Sequence, residues 1–256
     1  MSSQPPAAQP LLSIIVATFN AARTVERCLA SVVAQSSRNW ELIVMDGAST
    51  DSTMTIVERF ASDVTHAVSE PDNGIYDAWN KALALARGHY VCFLGADDAF
   101  SDQEAIASVI DAMAGDSFDL ISSRCRWIDA DGIFTGEGGD AWDFRKLGRH
   151  MPICHPGLWH ARALFDHHGC FDASYRITGD LDFLLRLPMS TRSLHLNRVT
   201  VTVENAGISR AQVLRRLREQ RRALTACPRI GPVKAWVVWL DKIWRYPIAR
   251  AFNLPF

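Results

Sequence analysis

Residues 74–98 read GIYDAWNKALALARGHYVCFLGADD, and the two halves of this stretch follow two different periods. In the first half Ile75, Trp79, Leu83 and Ala86 recur every three or four residues, which predicts a helix over 74–86 with one apolar face. In the second half Tyr90–Leu94 is a short, unbroken apolar run, the pattern of a strand buried on both faces. A helix running straight into a buried strand is half of a βαβ unit, and the same alternation extends back to residue 11. Leu11–Ala17 (LLSIIVA) and Glu41–Met45 read as strands, and 64–69 as a third. Between them, residues 21–35 place Val25, Cys28, Leu29, Val32 and Val33 on one helical face, and 52–60 bury Met54, Val57 and Phe60. This alternation predicts an α/β fold with a central, mostly parallel sheet covered by helices on both faces.

In such sheets ligands bind beyond the carboxyl ends of the strands. The polar residues that follow the strands are Thr18-Phe19-Asn20, the run Asp46 to Asp51, and Gly95-Ala96-Asp97-Asp98. They are expected along one edge. The adjacent acids Asp97 and Asp98 raise their own question, because two neighbouring carboxylates repel and are costly to bury. They belong either at a solvated strand end or beside a cation. Ser101 and Glu104, spaced as a capping box, account for the residues after 100 and leave the acid pair unexplained.

After residue 117 the rhythm changes. Phe118–Ser123 reads as one more strand, Asp129–Gly132 as a turn between short strands, and 136–151 is Gly-rich and charged with little periodicity. Helical pattern returns at 178–187 and 209–225. The 256 residues suffice for one large domain or two small ones, and no internal repeat is visible. The six cysteines are scattered with no CxxC pair, which favours reduced thiols over a disulfide framework. His167, His168 and Cys170 fit no four-ligand zinc spacing. The opening MSSQPPAAQP lacks the basic start and apolar core of a signal peptide and reads as a disordered lead-in over 1–10.

The net charge of −1 conceals a strong asymmetry: 11 of the 27 Lys and Arg, but only 2 of the 28 Asp and Glu, fall in residues 206–256. Arg210, Arg215, Arg216, Arg218, Arg221 and Arg222 surround Val213, Leu214 and Leu217. Trp236, Trp239, Trp244, Tyr246 and Phe252 then interleave with Lys234, Lys242, Arg245 and Arg250. Basic and aromatic residues on a helical pattern read as an amphipathic helix lying on a membrane surface, with a docked helix or a dimer contact as the alternatives. Apolar runs of about six residues are far short of the ~20 needed to span a bilayer. Basic charge without a recognition motif does not point to nucleic acid.

The segments SIIVATFN, LIVMDGASTDST and EPDNGIYDAWNKALALARGHYVCFLGADD, followed by the helix GDLDFLLRL, resemble the family-2 glycosyltransferases. These are inverting enzymes with the GT-A fold, and the likeness covers residues 11–205, most closely to enzymes that build bacterial exopolysaccharides of the colanic-acid type. The resemblance implies a GT-A domain over 11–208 and a basic amphipathic helical extension over 209–256. It implies that Asp46 holds a nucleotide base, with the Thr18 and Asn20 loop nearby, whereas Ser49 to Asp51 also suit helix capping. Asp72, Asn80 and Lys81 would line the donor site, although Asp77 and Lys81 equally form an i, i+4 surface pair. Asp97 and Asp98 would bind the donor diphosphate through Mg²⁺ or Mn²⁺, a task for one or two carboxylates plus phosphate oxygens. Many family members carry an aspartate where this chain has Gly95, which leaves Asp97 as main ligand and keeps open a non-catalytic sugar-nucleotide binder or scaffold.

Inverting transfer needs a base, and Asp180 of GDLDFLLRL holds the matching position. Asp182, two residues on, faces elsewhere on a helix and is the lesser candidate for the base, and both acids also suit the helix N-terminal dipole. Asp182 and His155 of MPICHPGLWH are the acceptor-side candidates. Asn205–Ser209 resembles a loop that closes over donor, but more plainly marks a strand end and the Ser209 cap of a helix. The expected activity is transfer of a sugar from a UDP- or GDP-sugar to an undecaprenyl-diphosphate-linked saccharide, in exopolysaccharide or surface-glycan synthesis. The expected location is the cytoplasm, peripherally on the inner face of the membrane. Nucleotidyl transfer would need a Gly-rich basic loop after the first strand, and TFNAART does not supply one.

Overall fold

Strand β1 (Leu12–Thr18) is buried on both faces, which is why its sequence carries no polar alternation beyond Ser13. A computed structural model of the chain describes residues 9–204 and 212–251. In it β1 pairs in parallel with β2 (Trp40–Asp46) on one side and β4 (Tyr90–Gly95) on the other, and β2 carries β3 (His66–Ser69) in parallel. The register sets Thr18 opposite Asp46, Asp46 opposite Ser69, and Ala17 opposite Gly95. The polar strand ends therefore meet along one edge.

Beyond β4 the sheet runs through β8 (Trp159–Ala161), β6 (Leu120–Ile128), β9 (Ser193–Glu204) and β5 (Asp98–Phe100), with β7 (Phe134–Gly138) hairpinned onto β6. Here only the β6–β9 pair is parallel, and β4–β8, β6–β8, β5–β9 and β6–β7 are antiparallel. The expectation of a mostly parallel sheet holds for β3-β2-β1-β4 and is corrected for the other half. Strand–helix alternation stops near residue 117, and without crossover helices antiparallel pairing becomes the accessible arrangement.

Side chains alternate across the pleat of β1. Ile14 and Val16 pack with α1 (Val25–Val33), α2 (Thr53–Glu58) and α4 (Ala105–Met113), and Ile15 points to the other face. That face is covered by α3 (Ile75–Leu83), α5 (Phe144–Leu147), α6 (Ala163–His168) and α7 (Gly179–Arg186). On α3 the inward stripe is Tyr76, Ala78, Trp79, Ala82 and Leu83, whereas Ile75, expected inside, is 36% exposed. Gly74, at φ +107°, turns the chain into the helix so that Ile75 starts it facing outward. The capping box is also corrected. Asp102 Oδ1 accepts from the Glu104 N–H, and Ser101 and Glu104 bond to β9 and to Ser36 instead.

Beyond the expected division at 208 lie the C-terminal helices α8 (Val213–Ala226) and α9 (Gly231–Ala251). Leu217 is buried, and Ala223, Leu224, Cys227 and Ala235 join the core formed by α3 and α7, so α8 belongs to the body of the fold. Residue 208 itself, the 205–209 loop and most of the lead-in lie outside the described residues. One side of α9 docks on α8, with the Arg221 guanidinium 4.0 Å from the Trp236 ring centre and Lys242 Nζ donating to Gln220 Oε1 at 2.8 Å. The other side leaves Val233, Val237, Leu240 and Trp244 exposed. Among the described residues no helix is long and apolar enough to cross a membrane. The expectation of six reduced thiols is corrected at Cys125 and Cys154, which form a disulfide across 29 residues. Chain spacing could not reveal a pairing made by the packing of β6 against the segment before β8.

Candidate active site

Asp46, the last residue of β2, is completely buried, and both carboxylate oxygens are occupied. Oδ1 accepts from Thr18 Oγ1 at 2.8 Å and Ser49 Oγ at 2.5 Å, and Oδ2 accepts from the Ser49 N–H at 2.8 Å and Ser69 Oγ at 2.6 Å. Burial alone would raise its pKa, but the hydrogen bonds from Ser49, Ser69 and Thr18 outweigh it and hold the group below the usual carboxylate range. Asp46 thus ties together the ends of β1, β2 and β3. The next loop is built on it: the Asn20 N–H donates to Ser49 Oγ at 2.7 Å and Asn20 Oδ1 accepts from the Thr50 N–H at 2.9 Å. Asn20 takes φ +48°, a region asparagine tolerates better than most residues. Asp72 closes the same corner. Its Oδ1 accepts from the Gly74 N–H at 2.7 Å, and its Oδ2 lies 2.6 Å from where a side chain on Gly47 would begin.

At the end of β4 the acid pair folds back over Gly95. A Cβ there would lie 2.6 Å from Asp97 Oδ1 and 3.1 Å from Asp98 Oδ2, so both carboxylates use the space a side chain would fill. Asp98 is 4% exposed and its Oδ2 accepts from the Gly95 N–H at 2.7 Å. Burial, and then the Asp97 charge, push its pKa well up, and burial raises Asp97 as well. Behind the pair, the buried Glu204 at the end of β9 holds Arg23 and Arg27, and Arg27 Nη2 donates to the Asp97 carbonyl at 2.6 Å. Two carboxylate groups stranded close together, one with its proton retained by burial, make a donor set that fits a hard divalent cation. Among the described residues no third acid, histidine or cysteine joins them, which leaves the remaining coordination positions to phosphate oxygens and water.

A cavity of about 310 Å³ opens beside Asp97 and Gly95, bounded by Phe19, Asn20, Arg23 and Ile75. Phe19 is 64% exposed and Ile75 36%, so the rim presents apolar surface to whatever enters. A larger cavity of about 600 Å³ lies at the opposite, amino ends of β1 and β4, around Leu11, Tyr90 and Arg192. It lies away from the converging polar strand ends.

Asp180, on α7, meets the first turn of α3. Its Oδ1 accepts from the Leu181 N–H at 2.8 Å and from Tyr76 Oη at 3.3 Å. Burial pushes its pKa up to about 6 despite the Leu181 and Tyr76 hydrogen bonds. Tyr76 adjoins Ile75, so the first turn of α3 shows Ile75 to the cavity and Tyr76 to Asp180. Gly179 makes this contact possible, since a Cβ there would sit 2.8 Å from the Tyr76 ring. Gly179→Ala is expected to force Tyr76 away, costing about 1–3 kcal/mol in a thermal or denaturant melt. An unchanged melt and unchanged activity would show that the ring yields freely.

The model for "Glycosyl transferase family 2" matches residues 13–164. The chain belongs to this family of glycosyltransferases. It is 32% identical over 205 residues to a PGL/p-HBAD biosynthesis glycosyltransferase of Mycobacterium bovis, covering 74% of this chain and 75% of the relative. It is 29% identical over 195 residues to the chondroitin synthase of Escherichia coli, covering 74% of this chain but 28% of that protein. Among solved structures, a mannosyltransferase from Pyrobaculum calidifontis in complex with GDP-Man and Mn²⁺ superposes with TM-score 0.68, at 24% identity, over 96% of this chain and 74% of that one. S. aureus TarS 1–349 in complex with UDP-GlcNAc gives TM-score 0.66 at 17% identity, over 90% and 70%. The fold is the GT-A fold, and the chain is an enzyme; its acid pair occupies the space that a side chain at Gly95 would fill.

Several residues singled out in this glycosyltransferase's sequence have other tasks. Both ends of the Asn80 amide are taken by Phe171, whose carbonyl accepts at 2.8 Å and whose N–H donates at 3.0 Å. Asn80, expected to face the donor, thus spends its amide on anchoring Phe171. Lys81 Nζ bonds the Pro71 carbonyl at 2.8 Å and Glu70 at 2.9 Å, bracing the 70–74 loop from outside. Asp182 lies across the helix from Asp180 with Arg186 at 3.5 Å, and His155 is packed on Trp79 and Phe93 with burial pushing its pKa down to about 3. Sequence reasoning missed Arg23, Arg27, Glu204 and Tyr76. Glu204 is 181 residues from Arg23, a contact that no local pattern signals.

Proposed function

We propose that the protein transfers a sugar, with inversion, from a UDP- or GDP-sugar to a lipid-linked saccharide acceptor, with Asp97 and Asp98 holding Mg²⁺ or Mn²⁺. The observation that carries this reading is the first turn of α3, which sets the cavity beside the acid pair against the half-buried Asp180. When bound, the cation would offset the diphosphate charge as the sugar–phosphate bond breaks. The protein's own contribution is placement. Asn20 lines the pocket, Asp46 and Asp72 hold the loops behind it, Phe19 and Ile75 offer apolar faces to a base or sugar ring, and Arg23 supplies positive charge at its rim. Asp180, with a pKa near 6, is ionised at neutral pH yet basic enough to take the proton of an attacking hydroxyl.

The nucleotide sugars in the structural relatives, UDP-GlcNAc and GDP-Man, support this donor class. The first test is a thermal-shift panel of UDP- and GDP-sugars with and without Mn²⁺. A metal-dependent shift with at least one donor is expected, and no shift with any would sink the reading.

For the acceptor, the exposed stripe of Val233, Val237, Leu240 and Trp244 on α9, with Lys234 and Arg245 nearby, supports binding to an anionic lipid surface. That is where a lipid-linked substrate would be met, on the cytoplasmic side that holds nucleotide sugars. The protein is expected to float with vesicles containing phosphatidylglycerol, and Trp244→Glu combined with Leu240→Glu to abolish flotation. Flotation unaffected by the pair would rule out α9 as the contact.

A further inference from the structure

Asp180 enters the site from a helix start that its own sequence does not cap. Thr178, at the N-cap of α7, makes no side-chain cap bond, and its Oγ1 is buried without a partner. Backbone N–H groups ahead of a helix need acceptors from somewhere. They find one on α8. Glu219 Oε2 accepts from the N–H of Ile177 at 2.8 Å, of Arg176 at 3.1 Å and of Thr178 at 3.2 Å. Its Oε1 accepts from the Arg176 N–H at 3.2 Å and from Arg215 Nε at 3.0 Å. Glu219 is 9% exposed, and a carboxylate so deeply placed persists only with this degree of hydrogen bonding. Its charge also stands at the positive end of the α7 dipole.

The turn it holds reaches two ways. Forward, it leads within two residues to Asp180. Sideways, Arg176 Nη1 donates to the Asn73 carbonyl, in the loop that runs into Ile75 and Tyr76. We infer that Glu219 is a positioning residue for the transfer reaction: from helix α8 it sets the 176–178 turn, and through it the placement of Asp180 relative to the donor loop 72–75. This rests on the reading of Asp180 as the base.

The titratable groups facing Asp180 among the described residues are Tyr76 from α3 and Glu219 from α8. Asp182 and Arg186 on its own helix form a pair on another face. The Glu219 charge adds to the burial that raises the Asp180 pKa, so neutralising it lowers that pKa.

The test compares Glu219→Gln, Glu219→Ala and Asp180→Asn in the full chain. It measures kcat for Mn²⁺-dependent sugar release from UDP-GlcNAc or GDP-mannose, whichever shifts the melt, across pH 5–8. Glu219→Ala is expected to lose about 10²-fold in kcat through misplacement, with the donor KM little changed. Glu219→Gln, whose amide oxygen can still accept the three N–H bonds, is expected to retain most of the rate while its acid limb moves to lower pH. A merely structural role would not move that limb. An unchanged limb in Glu219→Gln overturns the inference, as does a folded Glu219→Ala with wild-type kcat. If Glu219→Ala does not fold, the glutamine variant decides alone. Wild-type rates in Asp180→Asn would instead overturn the base assignment, and an inactive Asp180→Asn beside wild-type Glu219 variants removes only the inference.

Discussion

Asp180→Asn is expected to lower kcat for sugar transfer by about 10²–10⁴-fold, the usual contribution of a positioned general base, while leaving donor and metal binding intact. The substitution keeps the side-chain shape and the bonds that Oδ1 accepts from Leu181 and Tyr76, and removes the proton-accepting group. The wild-type kcat is expected to rise with pH through an apparent pKa near 6, because only the ionised carboxylate can take the proton. That limb is expected to vanish in the variant.

Stability moves the other way. The folded carboxyl has a raised pKa, so the folded state holds its proton more tightly than the unfolded chain between the ordinary carboxylate range and about pH 6. Stability therefore falls as pH rises through that window, and at pH 7 the asparagine variant is expected to melt no lower than wild type. A variant with an intact acid limb, or one that loses activity only because it unfolds, would contradict the assignment.

Asp97→Asn is expected to cost about 10²–10³-fold in activity, comparable to removing one electrostatic stabiliser of a developing charge, and to abolish the Mn²⁺-dependent part of the donor thermal shift. The effect should exceed that of other changes around the pocket, because Asp97 has no side-chain hydrogen bond with Gly95 competing for it. Asp98 already gives Oδ2 to the Gly95 N–H and has one oxygen free for a cation. In the absence of metal, the charge of half-buried Asp97 opposes ionisation of buried Asp98, so removing it relieves the fold even as it disables the site. Calorimetry with Mn²⁺ and UDP or GDP checks this directly. Undiminished metal-dependent nucleotide binding in Asp97→Asn would show that the cation is held elsewhere.

Much of this was legible along the chain because it is local. Buried parallel strands must be apolar throughout, so Leu12–Thr18, Trp40–Asp46 and Tyr90–Gly95 stood out as uninterrupted runs. Whatever polar residues follow such strands must emerge at one edge, which put Thr18, Asp46 and Asp97 together before any coordinates. Of the antiparallel half, the β6–β7 hairpin was legible from its turn at Asp129–Gly132, but β5 and β8 were not, because they are three residues each and are held by neighbours distant in sequence. Along 74–86 the sequence placed Trp79, Leu83 and Ala86 correctly inside, but not the first turn of α3, where Ile75 faces the cavity and Tyr76 faces Asp180.

The residue types and their order thus determined the strand–helix framework, the edge at which the polar strand ends converge, and the acids available there. Only the tertiary structure decided which of those acids are free to act. It consumed Asp46 in four hydrogen bonds, locked Asn80 to Phe171 and turned Asp182 toward Arg186. It also brought Glu219 from the C-terminal helices under the turn that carries Asp180. The physical reason is that a carboxylate's role depends on its desolvation and its partners. Both are set by side chains that fold in from dozens to hundreds of residues away.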